Sequence, residues 1–386
     1  MMNYELTAEQ KTIKKEIGKF CEEAIAPTAA LFDESPKDKA ADLMKANFRK
    51  LAQANYFGLA LGEDIVGATV AGEALAKTCP STFLSAMSSI VSFGIPVKLF
   101  GTAAQKDKYI DALVKARVIG AMGYTEAQAG SDLGGISASA AKKGDGWVLT
   151  GVKDLVTNAS LADAFLVLAW TDKEAGLDKG LTFFIVEKNA SGLTVGKPIE
   201  TMGLRGALTA EVALSGCEVA AAAVLGGESG KGYAQLQTVL EYIKLSIANL
   251  SLGIGQACLE VSTALGKSRQ AFGKPIGLFE GVGAKLAVMF TNNDLSRLLT
   301  LRAAWSMEQK EAESAVLTSC AKLFASEAVN AIADLAMQVH GGHGYLRGAQ
   351  VERLYRDARF AVIAYGTSEL QRAAIAKDCL DKFKAA

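Results

Sequence analysis

Two stretches of the sequence carry residue types that can do chemistry at close spacing. The first is Tyr124-Thr-Glu-Ala-Gln-Ala-Gly-Ser-Asp132, followed by Leu133-Gly134-Gly135. Its small residues let backbone N–H groups and the Thr125 hydroxyl come close to a polar ligand. The second reads Gln338-Val-His-Gly-Gly-His-Gly-Tyr345, then Glu352-Arg-Leu-Tyr-Arg-Asp-Ala-Arg359, then Tyr365-Gly-Thr-Ser-Glu-Leu-Gln371. Its glycines break a strong helical pattern where a phosphate or a ring can reach the backbone. Arg353, Arg356 and Arg359 recur on one helical face. That face suits a solvated ion-pair surface with Glu352 and Asp357 better than a phosphate clamp. Gly366-Thr-Ser suits a turn and an N-cap, and a helix N-terminus offers free N–H groups to an anion or a carbonyl oxygen. The two histidines, His340 and His343, have no acid or cysteine at ligand spacing, so no metal site is expected.

The elements around these stretches change character twice. Thr7 with Gln10 forms a capping box ahead of Ile13, Ile17, Phe20 and Ala24 at helical spacing, and Pro27 ends the run. Helical pieces continue to about residue 115, broken at Gly62, Gly67, Pro80, Gly94-Ile95-Pro96 and Gly101. Short apolar runs at 146–151, 164–170, 181–187 and 211–214, bounded by turn residues, then predict strands of a barrel or sandwich. From about residue 233 the helical period returns, with Leu317, Cys320, Ala321, Phe324, Ala328, Ile332 and Leu335 as a core stripe. Leu295, Leu298, Leu299 and Trp305 mark another helix. The reading is an α+β chain with an N-terminal helical domain (1–115), a central β-barrel domain (116–228) and a C-terminal four-helix bundle (229–386).

Composition excludes several function classes. In 386 residues, Lys plus Arg is 41 and Asp plus Glu is 41, which gives no electrostatic case for nucleic acid or an anionic membrane. Half the residues are hydrophobic and 21% are charged, enough for a sizeable core and too apolar for disorder. No uninterrupted apolar stretch is expected to span a bilayer, and the N-terminus lacks a signal-peptide core. Six widely spaced cysteines read as reduced, mostly buried thiols of a cytoplasmic protein.

These stretches resemble the signatures of the acyl-CoA dehydrogenase family. The first resembles Thr-Glu-x-x-Ala-Gly-Ser-Asp, and the second resembles Gln-x-x-Gly-Gly-x-Gly-Tyr … Arg-Asp-Ala-Arg … Gly-Thr-Ser-Glu. Between them, Arg269-Gln-Ala-Phe-Gly-Lys-Pro-Ile276 resembles the family's Arg-x-x-Phe-Gly element. The resemblance covers nearly the whole chain, in order. It implies FAD bound at a subunit interface, a homotetramer built as a dimer of dimers or a heteromer with a homologous subunit, and a place in fatty acid metabolism. It also implies that Met122, Tyr124, Thr125, Leu155 and Thr157 line the flavin. Arg269, Phe272, Gln338, Gly341 and Gly342 would meet the pyrophosphate and adenine end from a neighbouring subunit. Thr367 and Glu369 fall at further FAD positions, and Ser131 at a position shared by FAD and acyl-CoA. Glu241, Lys244, Tyr365 and Gly366 fall where the family meets the acyl-CoA.

The usual family chemistry removes an α-proton and passes a β-hydride to flavin N5. The thioester oxygen is held by a backbone N–H, here that of Tyr365. The usual catalytic glutamate immediately precedes the Gly-Thr of the last signature, and in this chain that residue is Tyr365. The family's alternative base position is Ile243, one residue before Lys244. Glu241 is a family acid not commonly used as the base. A neutral phenol is a poor base but a fair donor. Leu155-Val-Thr157 replaces the family's Trp-Ile-Thr, which bears on docking to electron-transfer flavoprotein. Lys244 replaces an arginine and loses its two-pronged geometry. The expectation is an FAD oxidoreductase acting on an acyl-CoA thioester with a non-standard proton-transfer arrangement. The alternatives are a base-less subunit of a heteromeric dehydrogenase and a non-redox acyl-CoA lyase.

Overall fold

The computed structural model describes residues 5–382. The chain starts with helices: Ala8–Phe20, Lys37–Gln53, Ile65–Thr78, Pro80–Met87 and Ala103–Val114 are the longer ones. Thr7 and Gln10 form the expected capping box, and Thr102 with Gln105 forms a second. The breaks expected at Gly67 and at Gly94-Ile95-Pro96 are absent. The Gly67 N–H is instead taken by the Asp64 cap at 2.7 Å. The helix starting at Pro80 runs on to Phe100 because Ser88–Gly94 winds as a π-helix. That wider winding admits Pro96 at the start of the next α-turn, where its missing N–H costs little.

Seven strands follow: β1 Gly120–Gly123, β2 Ser139–Lys143, β3 Gly146–Val156, β4 Ala164–Trp170, β5 Leu181–Glu187, β6 Leu193–Val195 and β7 Ala210–Val219. They form one curled sheet in the order β1-β4-β2-β3-β7-β6, with β5 also on β4. β1 runs parallel to β4, while β3 pairs antiparallel with β2 and β7. Strand β4 is apolar throughout, β5 is apolar but for Thr182 and the terminal Glu187, and both are almost wholly buried, so they show no alternation.

The bundle comprises Gly232–Ser268, Glu280–Glu308, Ser314–His340 and Ser368–Lys382, with Gln350–Arg359 packed against it. One apolar core runs through all three regions. The buried face of the Ser314 helix is offset from the expected stripe. Leu317, Cys320 and Phe324 are half-buried, whereas Ala321, Lys322, Ala325, Ser326 and Val329 face the core. Small side chains there let neighbouring helices approach closely.

Close approach also explains Gly253, mid-helix. A Cβ at this position would lie 2.5 Å from the Ala76 Cβ and from the Lys77 backbone N. Gly253→Ala is therefore expected to destabilise by about 1–3 kcal/mol, reversing the roughly 1 kcal/mol that alanine normally gains over glycine in a helix. A urea-unfolding midpoint at or above that of the wild type would contradict this packing.

Two apolar helical stretches, Pro80–Phe100 and Ser314–His343, are after all long enough to cross a bilayer by length and composition. Within the fold, 78% and 50% of those windows are buried. Pro80–Phe100 lies against the sheet and the Gly232 helix, so the folded core accounts for its apolarity. Of the six unbridged cysteines, Cys21, Cys79, Cys217 and Cys258 are buried, Cys320 is half-buried and Cys379 is exposed.

Candidate active site

The loop after β1 is pinned from below by a buried ion pair. Lys153 on β3 is 0% exposed and donates to Glu126 Oε1 at 2.6 Å. Glu126 also accepts from the Ser137 N–H and hydroxyl, the Ala138 N–H and the Gln128 amide, at 2.6–3.0 Å. Burial pushes the Glu126 carboxyl up, but Lys153 and Ser137 outweigh it and hold the group at about 2. This carboxylate is a fully bonded anchor for Tyr124, Thr125 and the turn beyond them. The loop is tied to the sheet a second time, where the Asp154 N–H donates to the Thr125 carbonyl at 2.9 Å.

Next to Asp154, the β3–β7 pairing slips between Lys153 and Val156. Leu155 sits in that irregularity with φ +52° and is 56% exposed. A left-handed leucine is strained, and a bulge re-aims its side chain out of the sheet. Thr157 follows, buried, and its carbonyl accepts from the Ser88 hydroxyl at 3.2 Å. The neighbouring Ser89 hydroxyl accepts from the Gly120 N–H at 3.0 Å. The π-helix thus turns Ser88 and Ser89 toward the sheet, and Ser92 toward Tyr365.

Tyr365 and Gly366 are both left-handed, with φ +53° and +93°. The hydroxyls of Thr157 and Ser92 face the Tyr365 phenol, Tyr124 lies close by, and Phe360 packs edge-on at 6.5 Å. Ser92 is buried and its Oγ makes no well-formed hydrogen bond within the protein. Burial pushes the Tyr365 phenol above the ordinary tyrosine range, against the pull of Thr157 and Ser92. Tyr365 is therefore neutral at working pH. Among the described residues, neither the Tyr365 nor the Gly366 N–H donates to a protein group. The Gly366 carbonyl, in contrast, accepts from Lys322 Nζ at 2.7 Å and from Gln371 Nε2 at 3.0 Å. Thr367 caps the last helix as expected, its hydroxyl accepting from the Leu370 N–H at 3.4 Å.

The structure brings Tyr124, Thr125, Leu155, Thr157, Tyr365 and Gly366 into one neighbourhood, with Met122 buried on β1 below the loop. Ser131 is exposed on the same loop, and Glu369 is exposed in the first turn of the last helix. Between the Gly232 and Ser314 helices, Lys244 donates to the Ser319 hydroxyl at 3.1 Å and Glu241 accepts from that of Ser314 at 3.0 Å. Burial lowers Lys244, opposed by Glu241. Ile243 is buried. An apolar pocket lies nearby, lined by Tyr56, Phe83, Met87, Val91, Tyr242 and Asn249. The π-helix links the two places: Val91 lines the pocket and Ser92, next in the chain, faces Tyr365.

The other expected contact residues stand apart at the bundle's ends. Phe272 is left-handed (φ +49°), 96% exposed and edge-on to Phe279. Arg269, Gln338, Gly341 and Gly342 are exposed, and nothing lies within 4 Å of where a Cβ on either glycine would be. His340 Nδ1 is paired with the Ala336 carbonyl at 2.8 Å.

The arginine face meets its expectation at Glu352 and departs from it at Asp357. Arg356 pairs with Glu352 and with Asp33 of the N-terminal region. Asp357 points inward and accepts from the Leu204 N–H at 2.6 Å. Five residues that hold this neighbourhood together had no role assigned from the sequence: Lys322, Gln371, Ser92, Glu126 and Lys153. A lone lysine amid the small residues of a core helix was the one available signal for Lys322.

Open glycines at 341–342, exposed apolar side chains on strained backbone at 155 and 272, and free N–H groups at 365–366 fit a large, flat, phosphate-bearing cofactor. The helical–sheet–helical order is that of a class of flavoenzyme oxidoreductases, and the comparisons with known proteins place the chain in it. The acyl-CoA dehydrogenase N-terminal, middle and C-terminal domain models match residues 7–117, 121–217 and 230–380. The chain belongs to the acyl-CoA dehydrogenase family, whose cofactor is FAD. It is 37% identical to the probable acyl-CoA dehydrogenase YngJ of Bacillus subtilis (strain 168), across 98% of this chain and 100% of that protein. It is 34% identical to the 3-(aryl)acrylate reductase of Clostridium sporogenes, across 97% and 99%. The solved butyryl-CoA dehydrogenase of Megasphaera elsdenii superposes with a TM-score of 0.90 at 30% identity, across 98% and 100%.

Proposed function

We propose that this chain is an FAD-dependent oxidoreductase that acts on an acyl-CoA thioester without a carboxylate base at the substrate α-carbon. The observation that supports this most is Tyr365, a neutral phenol facing Thr157 and Ser92 at the position where the family resemblance puts the base. The residues for FAD are Met122, Tyr124, Thr125, Ser131, Leu155, Thr157, Thr367 and Glu369 from one chain. Arg269, Phe272, Gln338, Gly341 and Gly342 come from a second copy in a dimer of dimers. Bound FAD supplies the hydride acceptor or donor.

The chain's own residues do the rest. The free Tyr365 N–H holds the thioester carbonyl oxygen, the donor arrangement that stabilises charge developing there. Tyr365 Oη holds a proton, and the Thr157 and Ser92 hydroxyls orient it. Lys244, with Ser131 and Glu241, meets the CoA portion, and the apolar pocket takes the acyl group. A donor phenol suits the reductive direction, in which the α-carbon of an unsaturated thioester receives a proton. One relative is, by its name, a reductase. Electron-transfer flavoprotein is the redox partner that fits this reading, and the cytoplasm its compartment.

The test is an anaerobic titration of FAD-loaded protein with saturated, cyclic and unsaturated acyl-CoAs, and of the photoreduced protein with the unsaturated ones. Bleaching, or reoxidation by an unsaturated ester, is the expected result. Protein that takes up no flavin would sink the proposal. A second reading, a base-less subunit of a heteromeric dehydrogenase, draws on the neutral Tyr365 together with the buried Ile243. Spectral perturbation by CoA esters without any redox change, followed by rescue with a homologous subunit, would favour it. Product formed with no electron acceptor would instead indicate a lyase.

A further inference from the structure

Among the described residues two lysines are 0% exposed, Lys153 and Lys322. Lys153 has a carboxylate at 2.6 Å. Among the described residues, Lys322 has none within ion-pair distance; Glu369 and Glu327 act on it only from further away. A buried ammonium without a counter-charge is costly, and proteins usually avoid it. Here its one hydrogen bond goes to the Gly366 carbonyl, at 2.7 Å.

That carbonyl belongs to the residue after Tyr365, and a second buried side chain, Gln371, donates to it at 3.0 Å. The peptide so held lies in the most constrained part of the loop. Tyr365 is a non-glycine residue at φ +53° and Gly366 lies at +93°. A Cβ on Gly366 would come within 2.7 Å of Gln371 Nε2, so the clamp and the glycine depend on each other. Left-handed tyrosine is strained and persists only where its surroundings over-determine it. Two donors on one oxygen supply that constraint. Among the described residues the N–H groups of Tyr365 and Gly366, in the two preceding peptides, donate to no protein group.

We propose that Lys322 is a positioning residue. With Gln371 it clamps the Gly366 carbonyl, and so fixes the backbone that aims the Tyr365 N–H and phenol at the substrate. Lys322 touches neither substrate nor cofactor and acts through the loop. The catalytic consequence rests on the function proposed above, whereas the conformational one does not.

The experiment uses the FAD-loaded protein and the variants Lys322→Met and Gln371→Leu. Hydrogen exchange is followed at the bonded amides that flank the clamped peptide, Ala364 (to the Phe360 carbonyl), Leu370 (to the Thr367 hydroxyl) and Gln371 (to the Thr367 carbonyl), and, as a control, in the Gly232 helix. Lys322→Met is expected to speed exchange in the loop about tenfold or more, the scale of a lost hydrogen bond to a charged group, and Gln371→Leu about fivefold, the scale of a neutral one, with the control amides unchanged. Under turnover with crotonyl-CoA or butyryl-CoA, kcat should fall at least tenfold while KM moves little. Lys322→Gln, which keeps a donor, should recover part of both effects. Loop exchange unchanged in Lys322→Met would overturn the proposal, as would a uniform rise across loop and control. If Lys322→Met does not fold, Gln371→Leu decides by the same readings. If wild-type protein turns over no thioester, the function proposal fails and the exchange result still decides the clamp.

Discussion

Tyr365→Glu is expected to create dehydrogenation of saturated acyl-CoAs at a rate at least 100-fold above that of the wild type. A positioned general base contributes roughly 10²- to 10⁴-fold, and the phenol there is held neutral by burial. The new carboxylate would sit against Thr157 and Ser92, which can donate to it, but otherwise against Tyr124 and Phe360. Desolvation in such a site raises a carboxyl's proton affinity. The introduced activity should therefore rise with pH through a value above that of a free glutamate. The measurement is the rate of flavin bleaching on anaerobic mixing with butyryl-CoA, from pH 5.5 to 8. A variant that binds the ester, perturbs the flavin and still fails to bleach would show that position 365 does not face the α-carbon.

How much of this site the sequence disclosed depends on the kind of signal. Local spacing fixes local structure, so the capping box at Thr7, strands β4 and β5 and the Thr367 cap were legible. The short strands β1, β2 and β6 were not, because four residues such as Gly120–Gly123 carry no period and are held by pairing to β4. The run from Pro80 to Phe100 was misread as broken because π-winding has no sequence signature, and glycine with proline ordinarily marks an end. The loops at 124–132 and 365–371 stood out because hydroxyls and glycines there interrupt apolar periods. What faces them did not stand out. Ser92, Lys322 and Lys153 come from distant segments, and apart from the small residues around Lys322 nothing local says that these side chains point inward. Asp357 shows the same limit. Its neighbours Arg353 and Arg356 suggest a surface pair, yet it faces Leu204 in the core, and burial pushes its carboxyl up to about 6.

Lys153→Met should cost about 3–5 kcal/mol at neutral pH, since removing one partner leaves the other as an uncompensated buried charge. Glu126 would keep its donors from Ser137, Ala138 and Gln128, but these are neutral. The double variant Glu126→Gln/Lys153→Met should recover much of the loss, because the charge itself is then gone. The pH dependence follows from the same pair. Folded Glu126 titrates at about 2, below the ordinary glutamate value of about 4.3. Wild-type protein therefore has the full stabilisation above that ordinary value and loses it as the pH falls toward 2. In Lys153→Met the carboxyl loses its main charge partner and its proton affinity rises, so acid relieves the variant. The gap between variant and wild type should thus be widest near pH 7 and narrow below about pH 4, as read from urea midpoints at the two values. A constant gap would locate the effect in lost packing of the lysine stem. Flavin retention should fall with stability in the single variant and return in the double, since the loop carrying Tyr124 and Thr125 hangs from this pair. A double variant that is stable yet binds flavin poorly would show that the charge, and not the anchoring, shapes the cofactor site.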